Sequence, residues 1–141
     1  MNNPLRTPED YELYIYSLLE YYPHLKQSTL TFMRTGASIA RVSGELIFEE
    51  NFRLVVRERL IFDRLPISLD SYSYEIWRFD EKIAWYDPQP HPDDPSLRAT
   101  FPHHKHIPPD IRHHRVPAPE LSFTEPNLSF LIREIEEFLQ S

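Results

Sequence analysis

The sequence holds no cysteine and only two glycines among its 141 residues. Without cysteine it can form no disulfide, no thiolate metal site and no thiol nucleophile. With so little glycine it has no loop able to wrap a phosphate in backbone N–H groups, and no Ser-His-Asp spacing or internal repeat appears. No run of about 18 apolar residues occurs, so no membrane-spanning helix is expected. Residues 1–6 show no apolar core of a signal peptide, and a soluble cytoplasmic protein is the expectation. Positive charge is also scarce. Fifteen Lys and Arg against 22 Asp and Glu leave a net charge of −7, which argues against general nucleic-acid binding.

What is present fits one folded domain over residues 1–141, since apolar content of 40% is enough for a core and disorder is not the default. The chain divides by composition. Ten of its 14 prolines follow Asp87. A regular part covers 7–87, a Pro/His-rich loop 88–125, and a closing helix 126–140. Thr7 reads as an N-cap with Pro8 at the first helical position and Glu9 and Asp10 in the first turn. Tyr11, Tyr14, Ile15, Leu18, Leu19 and Tyr22 then recur at helical spacing until Pro23. At the other end Leu128, Leu131, Ile132, Ile135, Phe138 and Leu139 trace an apolar stripe opposite Arg133, Glu134, Glu136 and Glu137.

Between the helices the period falls to two. Strands are predicted at 29–34, 39–48, 52–62, 72–79 and 83–87, with turns at Glu49-Glu50-Asn51 and Asp80-Glu81-Lys82. The expected fold is therefore α+β, a twisted antiparallel sheet of about five strands packed by both terminal helices. Glu58 interrupts the apolar face of its strand, where an unpartnered carboxylate costs several kcal/mol. It is either held by an arginine or a tyrosine, or it is a catalytic or orienting acid. Tyr74 and Arg78 share a face of the next strand, and a register that matches the two faces would join them to Glu58 in one polar patch.

The segment from Thr100 to Arg115 carries five of the seven histidines, at 103, 104, 106, 113 and 114. Imidazole exchanges protons near neutrality and is the commonest metal ligand. Pro102, Pro108, Pro109 and Pro117 fix φ and remove backbone donors, so a stiff, extended loop is predicted. In extended backbone His104 and His106 point one way and His103 the other. Charge reverses locally too: Arg98, Lys105, Arg112 and Arg115 stand against the single acid Asp110 between residues 98 and 116. His24 reads as a surface residue, and His113 and His114 as a continuation of the loop.

Tyr72-x-Tyr74, Tyr86-Asp87, His91, the run Phe-Pro-His-His-Lys-His at 101–106 and Pro-Asn-Leu-Ser-Phe-Leu-Ile at 126–132 together resemble the TumE-type toxins of bacterial and archaeal toxin–antitoxin pairs. The resemblance runs from about residue 28 to the C-terminus. It implies a small toxin partnered by a helix-turn-helix antitoxin. The family pattern has a basic residue before Tyr-Asp, and here Trp85 stands there, which implies either a weakened toxin or that charge supplied by Arg78 or Arg98.

The residues themselves leave three chemistries open. In the first, RNA is cut without a metal: His104 and His106, with His103, serve as general acid and base, supported by Glu58 and Tyr74. Lys105, Arg78, Arg112 and Arg115 would hold phosphates, Tyr74, Trp85 or Tyr86 would stack a base, and Asp87 and His91 would lie beside the substrate. In the second, a divalent cation sits on His104 and His106 with a third ligand from His91, Asp87, His113 or His114, leaving an open position. In the third there is no chemistry, and the loop binds a partner. No cofactor is required by the first reading, no membrane contact is expected, and a homodimer is compatible with all three.

Overall fold

The computed structural model describes residues 3–91 and 93–140; Met1, Asn2, Pro92 of the proline-rich segment and Ser141 lie outside them. Thr7 caps the first helix, its hydroxyl oxygen accepting from the Asp10 N–H at 3.1 Å, and Pro8 opens α1 (Pro8–Tyr16). The helix expected to run on to Tyr22 breaks at Ser17, whose hydroxyl turns back onto the Leu13 carbonyl at 2.6 Å. A short α2 (Leu18–Tyr21) follows.

The expectation of about five strands is corrected to eight: β1 (Leu25–Ser28), β2 (Thr31–Arg34), β3 (Ile39–Phe48), β4 (Phe52–Ile61), β5 (Ser68–Arg78), β6 (Glu81–Asp87), β7 (His104–His106) and β8 (Arg115–Pro117). All pair antiparallel in one open sheet of order β1-β3-β4-β5-β6-β7-β8, with β2 also on β3. Two of the added strands come from the segment read as a loop. Its prolines flank His104-Lys105-His106 without entering it, so the three residues keep every N–H and can dock on the free edge of β6. Pro117 falls on the outermost strand, where a missing donor matters least.

β1 and β2 share one edge of β3 and meet at a corner formed by Thr29 and Leu30. Gly44 lies beneath that corner with φ 135°, and a Cβ there would stand 2.6 Å from the Thr29 carbonyl oxygen.

Alternation then sorts the sheet into two faces. Val42 and Leu46 of β3, Leu54 and Val56 of β4, and Tyr74 and Ile76 of β5 are buried on the inner face. Over that face lies α3 (Leu128–Gln140), which buries Leu128, Leu131, Ile132 and Ile135, each contributing about 1.5–3 kcal/mol. Phe138 stacks on Phe52 of β4 with ring centres 5.7 Å apart. α1 packs on the same face, where the Tyr16 hydroxyl accepts from the Phe32 N–H at 2.9 Å. Both helices therefore occupy one side of the sheet, and the outer face keeps its alternating polar residues. No helix among the described residues is long and apolar enough to cross a membrane.

Candidate active site

The site forms where β6 ends. Register places Asp87 opposite His104 and Trp85 opposite His106, all four on the outer face. β6 thus supplies a carboxylate and an indole, β7 two imidazoles, and the Lys105 side chain between them is sent to the inner face by the two-residue period.

Three donor atoms converge there. His104 Nε2 lies 2.9 Å from Asp87 Oδ1 and 3.1 Å from His106 Nε2, and His106 Nε2 lies 3.5 Å from Asp87 Oδ2. Asp87, His104 and His106 are all buried. The hydrogen bonding settles which nitrogen of His104 faces the cluster as a lone pair. Its Nδ1 is 3.1 Å from the Pro102 carbonyl, which can only accept, so Nδ1 carries the hydrogen. Nε2 then meets a carboxylate oxygen and another imidazole nitrogen, and such a triangle needs a positive charge within it, a proton or a metal cation. Burial pushes the Asp87 carboxyl up, but where the charge is a proton, hydrogen bonds from His104 and His106, with that from the Gln89 N–H, outweigh it and hold the group well below the usual carboxylate range.

The spacing fits a cation. Donors about 2.1 Å from one ion stand about 3.0 Å apart at octahedral angles and about 3.4 Å apart at tetrahedral ones. The Nδ1–H donated to a backbone carbonyl is the contact by which metal-ligating histidines fix their tautomer. Among the described residues Asp87, His104 and His106 have donor atoms within 4.8 Å of one another, and His91 is not part of that group.

The surroundings come from three directions. Trp85 stacks on His106, ring centres 4.3 Å apart and planes 19° from parallel, and its Nε1 donates to Ser73 Oγ at 3.3 Å. His91 meets His104 edge-on at 4.7 Å. Arg115 Nη1 donates to His91 Nδ1 at 2.8 Å, and burial together with that guanidinium lowers the pKa of His91. His106 Nδ1 and Arg115 Nε are buried without a hydrogen-bond partner among the described residues. Trp85 has Lys82 Nζ 5.0 Å over its ring, and Arg98 is exposed.

Other expected site residues lie elsewhere. His103 faces inward, its Nδ1 2.5 Å from the Tyr72 hydroxyl and its ring against Phe123, and burial lowers its pKa. Lys105 pairs with Glu134 of α3 at 3.1 Å. Tyr86 donates to the same carboxylate at 2.7 Å and is buried, so neither Lys105 nor Tyr86 reaches the outer face. Glu58 accepts from Tyr11 and Tyr74 in the core, and Asn127 in turn donates to the Tyr74 hydroxyl at 3.2 Å. Arg78 does not join them. It pairs with Phe52 at the far end of β5, six residues or about 20 Å from Tyr72, the partner of Glu58. Arg112, His113 and His114 are exposed on the turn between β7 and β8.

Periodicity could not find the Pro102 carbonyl, which orients His104, or Tyr11 and Asn127, which complete the Glu58 network. Their partners are remote in sequence or belong to the backbone. The alternation of His104 and His106 was the one local signal, and Tyr86-Asp87 at a strand end was the other half of the site.

Among curated proteins and among solved structures, none matches this chain. A family model described as Toxin TumE matches residues 15–139, nearly the whole chain and all of the site, and the protein belongs to that toxin family.

Proposed function

We propose that this member of the family, the toxin component of a toxin–antitoxin pair, cleaves RNA at the Asp87–His104–His106 cluster and that the cluster works with a bound divalent cation. The observation that carries the reading is the convergence of one carboxylate and two imidazole nitrogens within 3.5 Å on a buried point. A cation held there would neutralise charge on a phosphoryl oxygen and supply a water of lowered pKa. The chain's own residues do the rest. Asp87 brings the negative charge that retains a cation, Pro102 fixes the His104 ring through its carbonyl, and Trp85 lies flat against His106 and holds that ring in place. Arg115 adds a positive charge at the rim, beside His91, where a phosphate oxygen would arrive. Trp85, half-buried on the outer face, is also a surface on which an unpaired base can stack.

An antitoxin partner follows from family membership, and a helix-turn-helix antitoxin is proposed with it. The test is to strip the protein with a chelator and measure metal bound per chain by elemental mass spectrometry, in parallel with cleavage of a labelled RNA. Re-addition of zinc or manganese is expected to restore one ion per chain and cleavage together. Cleavage that persists in metal-free protein would remove the cation and leave His104 and His106 as acid and base. Absence of cleavage under every condition would sink the enzymatic reading.

A further inference from the structure

The outer face of the sheet holds a second feature, away from the cluster. Register sets Arg41 of β3 directly opposite Arg59 of β4, and Ser43 opposite Arg57. Across β4, Arg59 faces Ser71 and Arg57 faces Ser73 of β5. These six residues line a shallow concavity of about 350 Å³. The serines make it, because short side chains on β3 and β5 leave the arginines of β4 standing between low walls.

The charge arrangement is unfavourable for folding alone. Like charges directly opposite across strands destabilise a sheet, and this chain, at a net −7, has acids to spare. On the neighbouring rows of this face two cations have their acids: Arg53 pairs with Glu45 at 2.8 Å and Lys82 with Glu75 at 3.4 Å. In the trough Asp70 pairs with Arg59, and Arg41 and Arg57 have no ion pair among the described residues. Arg59 Nε is buried without a hydrogen-bond partner among the described residues. Guanidinium groups and hydroxyls on one surface are the donors that hold phosphates.

The trough is also aligned with the cluster. Ser43, Arg57 and Ser73 lie in one row across the strands, and Asp87 and His104 are paired across the next two. At about 4.8 Å per strand, Arg57 stands about 10 Å from the strand that carries Asp87. The indole N–H of Trp85, bonded to Ser73, bridges the gap.

We infer that Arg41, Arg57 and Arg59, with Ser43, Ser71 and Ser73, form the track for single-stranded RNA flanking the bond cut at the cluster. This rests on the RNA-cleavage reading for its occupant, and binding is therefore measured apart from cleavage. The experiment is fluorescence anisotropy of a short unstructured RNA with the full chain in chelator, across a range of salt. Arg41→Gln and Arg57→Gln are each expected to weaken binding roughly five-fold and to reduce the slope of log K against log salt by about 0.7, the increment for one contact to a single strand. Arg133→Gln, an equal charge change on α3 at the other side of the molecule, is the control and leaves the slope as it was. Melting temperatures of the two trough variants are expected to hold or rise, since repulsion is relieved, which separates lost contacts from lost fold. If both variants bind RNA with the wild-type affinity and salt slope, or the wild type binds none, the track is overturned. It is equally overturned if they keep RNA binding and lose the antitoxin, for the trough would then hold an acidic segment of that partner. If the wild type binds with the predicted slopes yet cuts nothing in any metal, the track stands and the cleavage reading falls.

Discussion

Among the described residues two carboxylate side chains, Asp87 and Glu58, are buried, and their partners give them opposite fates. Asp87 meets imidazoles and a backbone N–H and is held ionised. Glu58 meets two phenols, and burial raises its pKa above the ordinary 4.5, with the hydrogen bonds from Tyr11 and Tyr74 offsetting part of that. A carboxyl with a raised folded-state pKa binds its proton more tightly folded than unfolded, so the stability it contributes is full below about pH 4.5 and is lost as pH rises through the folded value. Urea denaturation from pH 4 upward is expected to show that decline in the wild type and to lack it in Glu58→Gln. Glu58→Ala leaves two buried hydroxyls without their acceptor and is expected to cost about 2–4 kcal/mol. At the cluster, His104→Ala and Asp87→Asn are expected to abolish stoichiometric metal and to lower RNA cleavage at least about 100-fold, against little change in His113→Ala on the exposed turn. Retention of a full metal complement by Asp87→Asn would contradict the assignment.

At the scale of elements, the corner between β1 and β2 depends on Gly44. An added methyl there meets the Thr29 carbonyl and forces an L-residue into φ 135°. Gly44→Ala is expected to lose about 2–4 kcal/mol, measured by denaturant midpoint, and to raise amide exchange in β1 and β2 before the rest of the sheet. β7 and β8 behave differently. They are strands of three residues each, held to the sheet by few ladder bonds, yet β7 carries both imidazoles of the cluster and β8 carries Arg115 beside it. Lys105 fastens the inner side of β7 to Glu134 of α3, where Tyr86 also donates. Through that contact the C-terminal helix steadies the site without touching it. The helix and the long hairpins were readable in advance, because periods of 3.6 and 2 repeat often enough to be seen. A three-residue strand has no period to read, and it exists only because β6 offers an edge.

For the molecule as a whole, division of labour follows the two faces of the sheet. Helices, tyrosines and the Glu58 network fill one, and the cluster and the arginine trough occupy the other. A cation bound only to the folded state stabilises it by mass action, about 2.7 kcal/mol at 100 times its dissociation constant. For a chain of this size the melting temperature is then expected to rise by roughly 8 °C with zinc or manganese, and Asp87→Asn is expected to lose that rise. No shift in any divalent metal would count against the centre. The sequence alone determined the class of fold, the terminal helices, the side-chain alternation that puts His104 with His106 and apart from His103, and the family resemblance, since all of these are local patterns of residue type. Tertiary structure alone decided that Asp87 completes the histidine pair, that Glu58 belongs to Tyr11 and Tyr74 while Arg78 stands at the far end of its strand, and that Arg41 comes to lie opposite Arg59. Those outcomes depend on strand register and on bulges, which long-range pairing sets and no stretch of neighbouring residues encodes.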